Sequence, residues 1–183
     1  MSTTAAAKEA GAQPPGSESD VAWSAQARAA LNSSDAKMAK RFDQGEEVDR
    51  LVALRARTAD HLLKDAWSRC VPADAPLALF AVGGYGRGEL FPQSDIDLLV
   101  LADTDAQQAQ HAALSRFFAM LWDAGLPVSH AVRSADQCTE AAANKLGYGG
   151  ALSRANAIAE AKREGNACYG DSATVGAGLP LLR

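Results

Sequence analysis

The stretch Leu77–Leu101, LALFAVGGYGRGELFPQSDIDLLVL, decides the fold. Leu77–Val82 is a continuous apolar run of strand length. Gly83-Gly84 ends it where the backbone turns sharply or lies close to a ligand. Asp95-Ile96-Asp97 then opens a second apolar run. Side chains alternate across a strand, so Asp95 and Asp97 are expected on one side, about 6.6 Å apart at the backbone. Ile96 and Leu98 point the other way, into a core. The element predicted is strand, glycine turn, short connector, strand.

Two carboxylates held side by side repel unless positive charge lies between them. A divalent cation resolves the conflict, and Mg²⁺ takes one or two carboxylates together with substrate phosphates. The glycine turn offers unhindered backbone N–H groups of the kind that close around phosphate oxygens. Each half has a plainer explanation when taken alone. A glycine pair makes an ordinary turn, and an acidic pair decorates the solvent side of an edge strand. A glycine turn, about ten residues, and then Ser94 with Asp-x-Asp at the head of a strand favours the nucleotide-site interpretation over both.

Gly83, Gly84, Ser94, Asp95 and Asp97 resemble the glycine-pair and Ser-Asp-x-Asp signature of the DNA polymerase β-like nucleotidyltransferase superfamily. The longer string GGYGRGELFPQSDIDLLVL is similar to the nucleotidyltransferase domain of the bifunctional PII uridylyltransferase/uridylyl-removing family. That similarity runs from about Phe42 to Ala143. It implies an α/β fold: a small mixed sheet of about three strands with flanking helices, the minimal polymerase β-like arrangement. It also implies transfer of UMP from UTP to a tyrosine of the PII nitrogen-signalling protein, with release of pyrophosphate. Asp95 and Asp97 would be the catalytic and Mg²⁺-binding residues, and Gly83, Gly84, Arg87 and Ser94 the nucleotide-binding ones. Two other functions fit the same residues: a nucleotidyltransferase with a different, small-molecule acceptor, and an inactive fragment that binds nucleotide or PII. Uridylyl removal in the family belongs to a separate domain built on His-Asp pairs. None of the three histidines here, His61, His111 and His130, is followed by Asp, so the chain is expected to lack that activity.

Composition sets the outer bounds. A chain of 183 residues holds one domain with a substantial core. A net charge of −4 disfavours a broad basic surface for nucleic acid. Cys70, Cys138 and Cys168 are widely spaced without a C-x-x-C, which speaks against structural zinc and a disulfide framework. The N-terminal segment has neither a basic n-region nor an apolar h-region, and no run is long enough to span a membrane. A cytoplasmic protein without membrane attachment is therefore expected.

Residues 1–20 combine Ala, Gly, Pro, Ser and Glu without apolar periodicity and are expected to be a disordered tail. Residues 21–143 are assigned to the nucleotidyltransferase domain. Val21–Lys40 suits helix, interrupted at Asn32-Ser33-Ser34-Asp35. Glu46–Arg69 has helical apolar spacing and carries Arg55, Arg57 and His61. Near a nucleotide an arginine there can reach a triphosphate, but a solvated helix face is the preferred assignment. Arg87 has two candidate roles, contact with a phosphate through its fork and pairing with Glu89. Thr104-Asp105-Ala106-Gln107 has capping-box form with Thr104 as N-cap, opening a helix to Ala124. Leu126–Arg133 alternates as a third strand with Val128, His130 and Val132 on one face. His130 is then either a neighbour of the metal site or a core histidine, the latter preferred, and the third metal ligand is unassigned. Ser134-Ala135-Asp136-Gln137 forms a second capping box for a helix through Ala143. Residues 144–183 turn Gly-, Ala- and Arg-rich and depart from the family pattern. They are expected to be an atypical, poorly ordered tail, the product of a frameshift or truncation.

Overall fold

The computed structural model describes residues 18–144 and 179–180. The expectations for residues 1–17 and for most of 144–183 lie outside that set. Helix α1 covers Glu18–Asp43 and α2 covers Val48–Cys70. Strand β1 (Ala78–Ala81) leads into a single helical turn, α3 (Gly83–Gly86). The connector then delivers the chain to β2 (Ile96–Leu101). Helices α4 (Thr104–Ala109) and α5 (His111–Asp123) cross to β3 (Val128–Arg133), and α6 (Ala135–Asn144) follows. Leu179–Pro180 makes a two-residue β4. The fold is mixed α/β, as expected.

The sheet order is β3-β2-β1-β4. Strands β1 and β2 are antiparallel, with Phe80 opposite Leu99 and Ala81 opposite Leu98. Strands β2 and β3 are parallel, joined through the α4–α5 crossover, with Asp97 beside Ser129 and Leu98 beside His130. Residues β4 Leu179 and Pro180 pair antiparallel with Ala81 and Phe80. Proline is tolerated there because an edge strand needs no donor on its outer side.

Alternation of the strands sorts the side chains onto two faces. Leu79, Ala81, Ile96, Leu98 and Val100 join α1, α2 and α5 in the main core, with Leu63, Trp67, Phe117 and Leu121 at its centre. Trp67 meets Phe117 edge-on at 5.1 Å between ring centroids. The opposite face carries Phe80 and Leu101 with Ala78, Val82 and Leu99, covered at one end by Cys138 of α6. Asp97 lies on this second face. Among the described residues no helix is long and apolar enough to cross a membrane.

Four local expectations need correcting. Helix α1 starts at Glu18, and it runs unbroken through Asn32-Ser33-Ser34-Asp35. Ser34 shares a 3.3 Å hydrogen bond with Thr58, and Asp35 accepts from Arg55 at 2.9 Å, so the polar groups that would cap a break are engaged with α2 instead. The N-cap of α4 is Asp103, not Thr104. The Gln107 amide donates to the Ala102 carbonyl at 2.8 Å rather than reaching back to a cap, and the predicted single helix breaks at Gln110 into α4 and α5. The second box forms as expected: Gln107's counterpart Gln137 accepts from the Ser134 N–H at 2.8 Å while its own N–H donates to Ser134 Oγ at 3.2 Å.

Candidate nucleotide site

Strand β1 ends against the head of β2, where the Val82 N–H donates to the Asp97 carbonyl at 3.0 Å. This bond fixes the start of the glycine turn beside the second aspartate. Gly83 then takes φ +64°, a conformation that glycine adopts at little cost. The turn closes with the Gly86 N–H on the Val82 carbonyl at 2.9 Å and the Glu89 N–H on the Gly84 carbonyl at 3.0 Å. The N–H groups of Gly83 and Gly84 stand at the start of this turn, where no preceding helical carbonyl can take them.

A Cβ at Gly83 would lie 2.6 Å from Asp97 Oδ2. The turn and the carboxylate thus share one space, which stays open only because residue 83 has no side chain. Asp97 is half-buried, whereas Asp95, one residue before the strand, is exposed. Burial first, and the neighbouring Asp95 charge second, push the Asp97 carboxyl above the usual carboxylate range. Two neighbouring carboxylates are hard oxygen donors of the kind that a divalent cation takes. Among the described residues no cluster of three or more His, Cys, Asp or Glu side chains suited to a metal forms. On the neighbouring strand, the residues in register with Asp97, Leu99 and Leu101 are Ser129, Ala131 and Arg133, none of them a carboxylate.

The other predicted residues divide. Arg87 combines contacts: its Nε donates to Glu89 Oε2 at 2.9 Å, its Nη1 donates to the Gly83 carbonyl at 3.1 Å, and it remains about half exposed. It therefore stands at the glycine turn while paired with Glu89. The Ser94 N–H donates to the Phe91 carbonyl at 3.0 Å in the turn that precedes Asp95. His130 is not a neighbour of the carboxylates. It stacks on Phe118 of α5 at 3.7 Å between centroids, on the helix-covered face opposite Asp97, and loss of water there lowers its pKa. Arg55 is not part of a solvated face: it is buried, donating to Asp35 and to the Phe91 carbonyl at 3.1 Å. Arg57 and His61 are exposed.

Tyr85 was not singled out by its sequence setting. Between two glycines it looks like a turn residue, yet it is 2% exposed and its hydroxyl donates to Asp60 Oδ1 at 2.5 Å. Burial first, then the Asp60 charge, push its pKa up, so it stays a protonated donor. An aromatic residue inside an otherwise small-residue turn is the signal that marks it.

Residues 33–139 match the family described as nucleotidyltransferase DUF294. The bifunctional uridylyltransferase/uridylyl-removing enzyme of Xanthomonas euvesicatoria pv. vesicatoria (strain 85-10) is 63% identical over 131 residues, 72% of this chain and 15% of that protein. Its namesake from Xanthomonas campestris pv. campestris (strain B100) is 62% identical over the same share of each chain. That of Pseudomonas aeruginosa (strain LESB58) is 48% identical over 103 residues, 56% of this chain and 11% of that protein. The matched part of the chain thus spans 11–15% of the length of these relatives. The match extends over more than half of the residues and includes the glycine turn and both aspartates, and the chain belongs to the DUF294 nucleotidyltransferase family.

Proposed function

We propose that this chain carries the uridylyl-transfer site of a PII-modifying enzyme: UMP passes from UTP to a tyrosine hydroxyl of PII in the cytoplasm. The close approach of Gly83 to the Asp97 carboxylate, where an added Cβ would lie 2.6 Å from Oδ2, is the observation that carries the site. It sets a turn with available N–H groups directly beside a carboxylate pair, the two halves that a metal-bound triphosphate requires. The 62–63% identity to uridylyltransferases supports the choice of nucleotide and acceptor.

In this reading the carboxylates of Asp95 and Asp97 would hold Mg²⁺. When bound, Mg²⁺ neutralises charge on the triphosphate and lowers the pKa of an acceptor hydroxyl. The Gly83 and Gly84 N–H groups face the phosphate oxygens. Arg87, already at the turn, exchanges its exposed bond to Glu89 for a phosphate oxygen, and Ser94 donates its hydroxyl to the same group. The acceptor tyrosine oxygen attacks the α-phosphorus of UTP and loses its proton to solvent. A new P–O bond forms, the bond from that phosphorus to the bridging oxygen breaks, and pyrophosphate leaves with the electron pair. The chain's part is positioning and electrostatic stabilisation, the two contributions that dominate phosphoryl-group chemistry.

The test is incubation of the purified chain with α-labelled UTP, Mg²⁺ and PII, followed by separation of protein from small molecules. Label on the PII tyrosine, absent without Mg²⁺, is the expected result. Label transferred to small-molecule hydroxyls or amines but not to PII would replace the acceptor and keep the site.

A further inference from the structure

Helix α2 grips the glycine connector at both of its ends. Near the beginning, the buried ring of Tyr85 sits in the core and its hydroxyl donates to Asp60 of α2 at 2.5 Å. Near the end, buried Arg55, five residues earlier on the same helix, donates to the Phe91 carbonyl at 3.1 Å. Arg55 is itself oriented by Asp35 of α1 at 2.9 Å. Residues 83–94 contain three glycines besides Gly83 and one further fully buried large side chain, Leu90; their other bonds, such as Glu89 N–H to the Gly84 carbonyl and Arg87 to Glu89, run within the connector and do not tie it to α2. Five residues apart on α2, Arg55 and Asp60 project roughly 140° apart around its axis, and each reaches a different end of the connector.

We propose that Tyr85, Asp60 and Arg55 are positioning residues for the nucleotide: they hold the Gly83–Ser94 connector in the shape that presents its N–H groups and Asp95 to a metal-bound triphosphate. This rests on the nucleotide-site reading above and extends it to residues that touch neither metal nor phosphate. Each contact is a polar bond from a buried or half-buried group, so its loss leaves an unpaired partner as well as a freer loop. The geometry also ranks substitutions. Asp60→Asn keeps an oxygen that accepts from Tyr85, whereas Asp60→Ala does not. Arg55→Lys keeps the charge beside Asp35 but gives up the planar fork that spans to Phe91.

The experiment compares the parent chain with Tyr85→Phe, Asp60→Ala, Asp60→Asn and Arg55→Lys. Arg116→Lys, which weakens an ion pair between α1 and α5 away from the connector, is the stability control. Two quantities are read: hydrogen exchange of the peptide covering residues 83–94, and affinity for UTP with Mg²⁺ by calorimetry. In Tyr85→Phe, Asp60→Ala and Arg55→Lys, exchange of that peptide is expected to speed up about tenfold and affinity to fall by a similar factor. Asp60→Asn and Arg116→Lys stay close to the parent in both. Connector variants that behave like Arg116→Lys overturn the proposal. A parent chain that binds no Mg²⁺–UTP also overturns it, and there the nucleotide reading has failed, while the exchange data still report separately whether α2 restrains the connector.

Discussion

Gly83 and Asp97 occupy each other's space: a Cβ on residue 83 would stand 2.6 Å from Asp97 Oδ2, and the backbone at Gly83 already has φ +64°. Both facts bear on one substitution. Gly83→Ala must accept a left-handed conformation, costing roughly 1–2 kcal/mol, and must also displace the carboxylate. The stability loss is therefore modest, while Mg²⁺-dependent UTP binding falls by more than the stability change alone explains. Thermal unfolding and calorimetry on the same preparation check the pair of outcomes.

The aspartates separate function from stability in the opposite direction. Asp97 has a raised pKa in the folded chain, so without metal its ionisation costs stability as pH rises through and above the ordinary carboxylate range. Asp97→Asn removes that cost. In EDTA at neutral pH its thermal midpoint is expected to equal or exceed the parent's. A marked drop would instead identify the carboxylate as a structural partner.

The buried pair between Asp20 and Arg116 behaves differently. The Arg116 fork donates to both Asp20 oxygens, at 2.9 and 2.8 Å, tying the first turn of α1 to α5. Arg116→Met takes the guanidinium from a buried carboxylate and is expected to cost about 3–5 kcal/mol in denaturant unfolding. The double variant with Asp20→Leu recovers part of that loss, because the buried carboxylate is removed together with its guanidinium. An additive double variant would argue against a coupled pair.

His130 gives a pH signature. Its pKa is lowered in the folded chain by loss of water against Phe118, so the unfolded chain takes up the proton first. Its contribution to stability is intact above the unfolded value of about 6.5 and is lost as pH falls from there through the folded value. Comparing His130→Gln with the parent isolates this from His61 and His111. The variant's unfolding free energy should decline less steeply between neutral pH and about pH 5.

The pattern of what could be read in advance follows from the range of the interactions. The strand–turn–strand core of the site was legible because Leu77–Val82 and Ile96–Leu101 carry local apolar patterns and Gly83-Gly84 punctuates them. Ser134 and Gln137 were legible for the same reason, since a capping box closes within four residues. Asn32–Asp35 misled because Ser34 and Asp35 are engaged by Thr58 and Arg55, more than a dozen residues away on α2. Thr104 misled because a nearby carbonyl, that of Ala102, takes the Gln107 amide. The Tyr85–Asp60 and Arg55–Phe91 bonds span 25 and 36 residues, and no local spacing encodes them. Thus the strand–turn–strand frame that carries the carboxylates and glycines was legible in the sequence, and the long-range bonds from Asp60 and Arg55 to the connector were not.

On the proposed function Asp95 and Asp97, the latter beside the turn at Gly83, hold a metal-bound triphosphate. The most direct measurement is calorimetric titration of the chain with UTP in Mg²⁺ and in EDTA, repeated for Asp95→Asn and Asp97→Asn. Binding that requires Mg²⁺ in the parent and weakens by on the order of a hundredfold in each variant is the predicted result. Variants that bind Mg²⁺–UTP as tightly as the parent, or a parent whose binding is the same in EDTA, would contradict it.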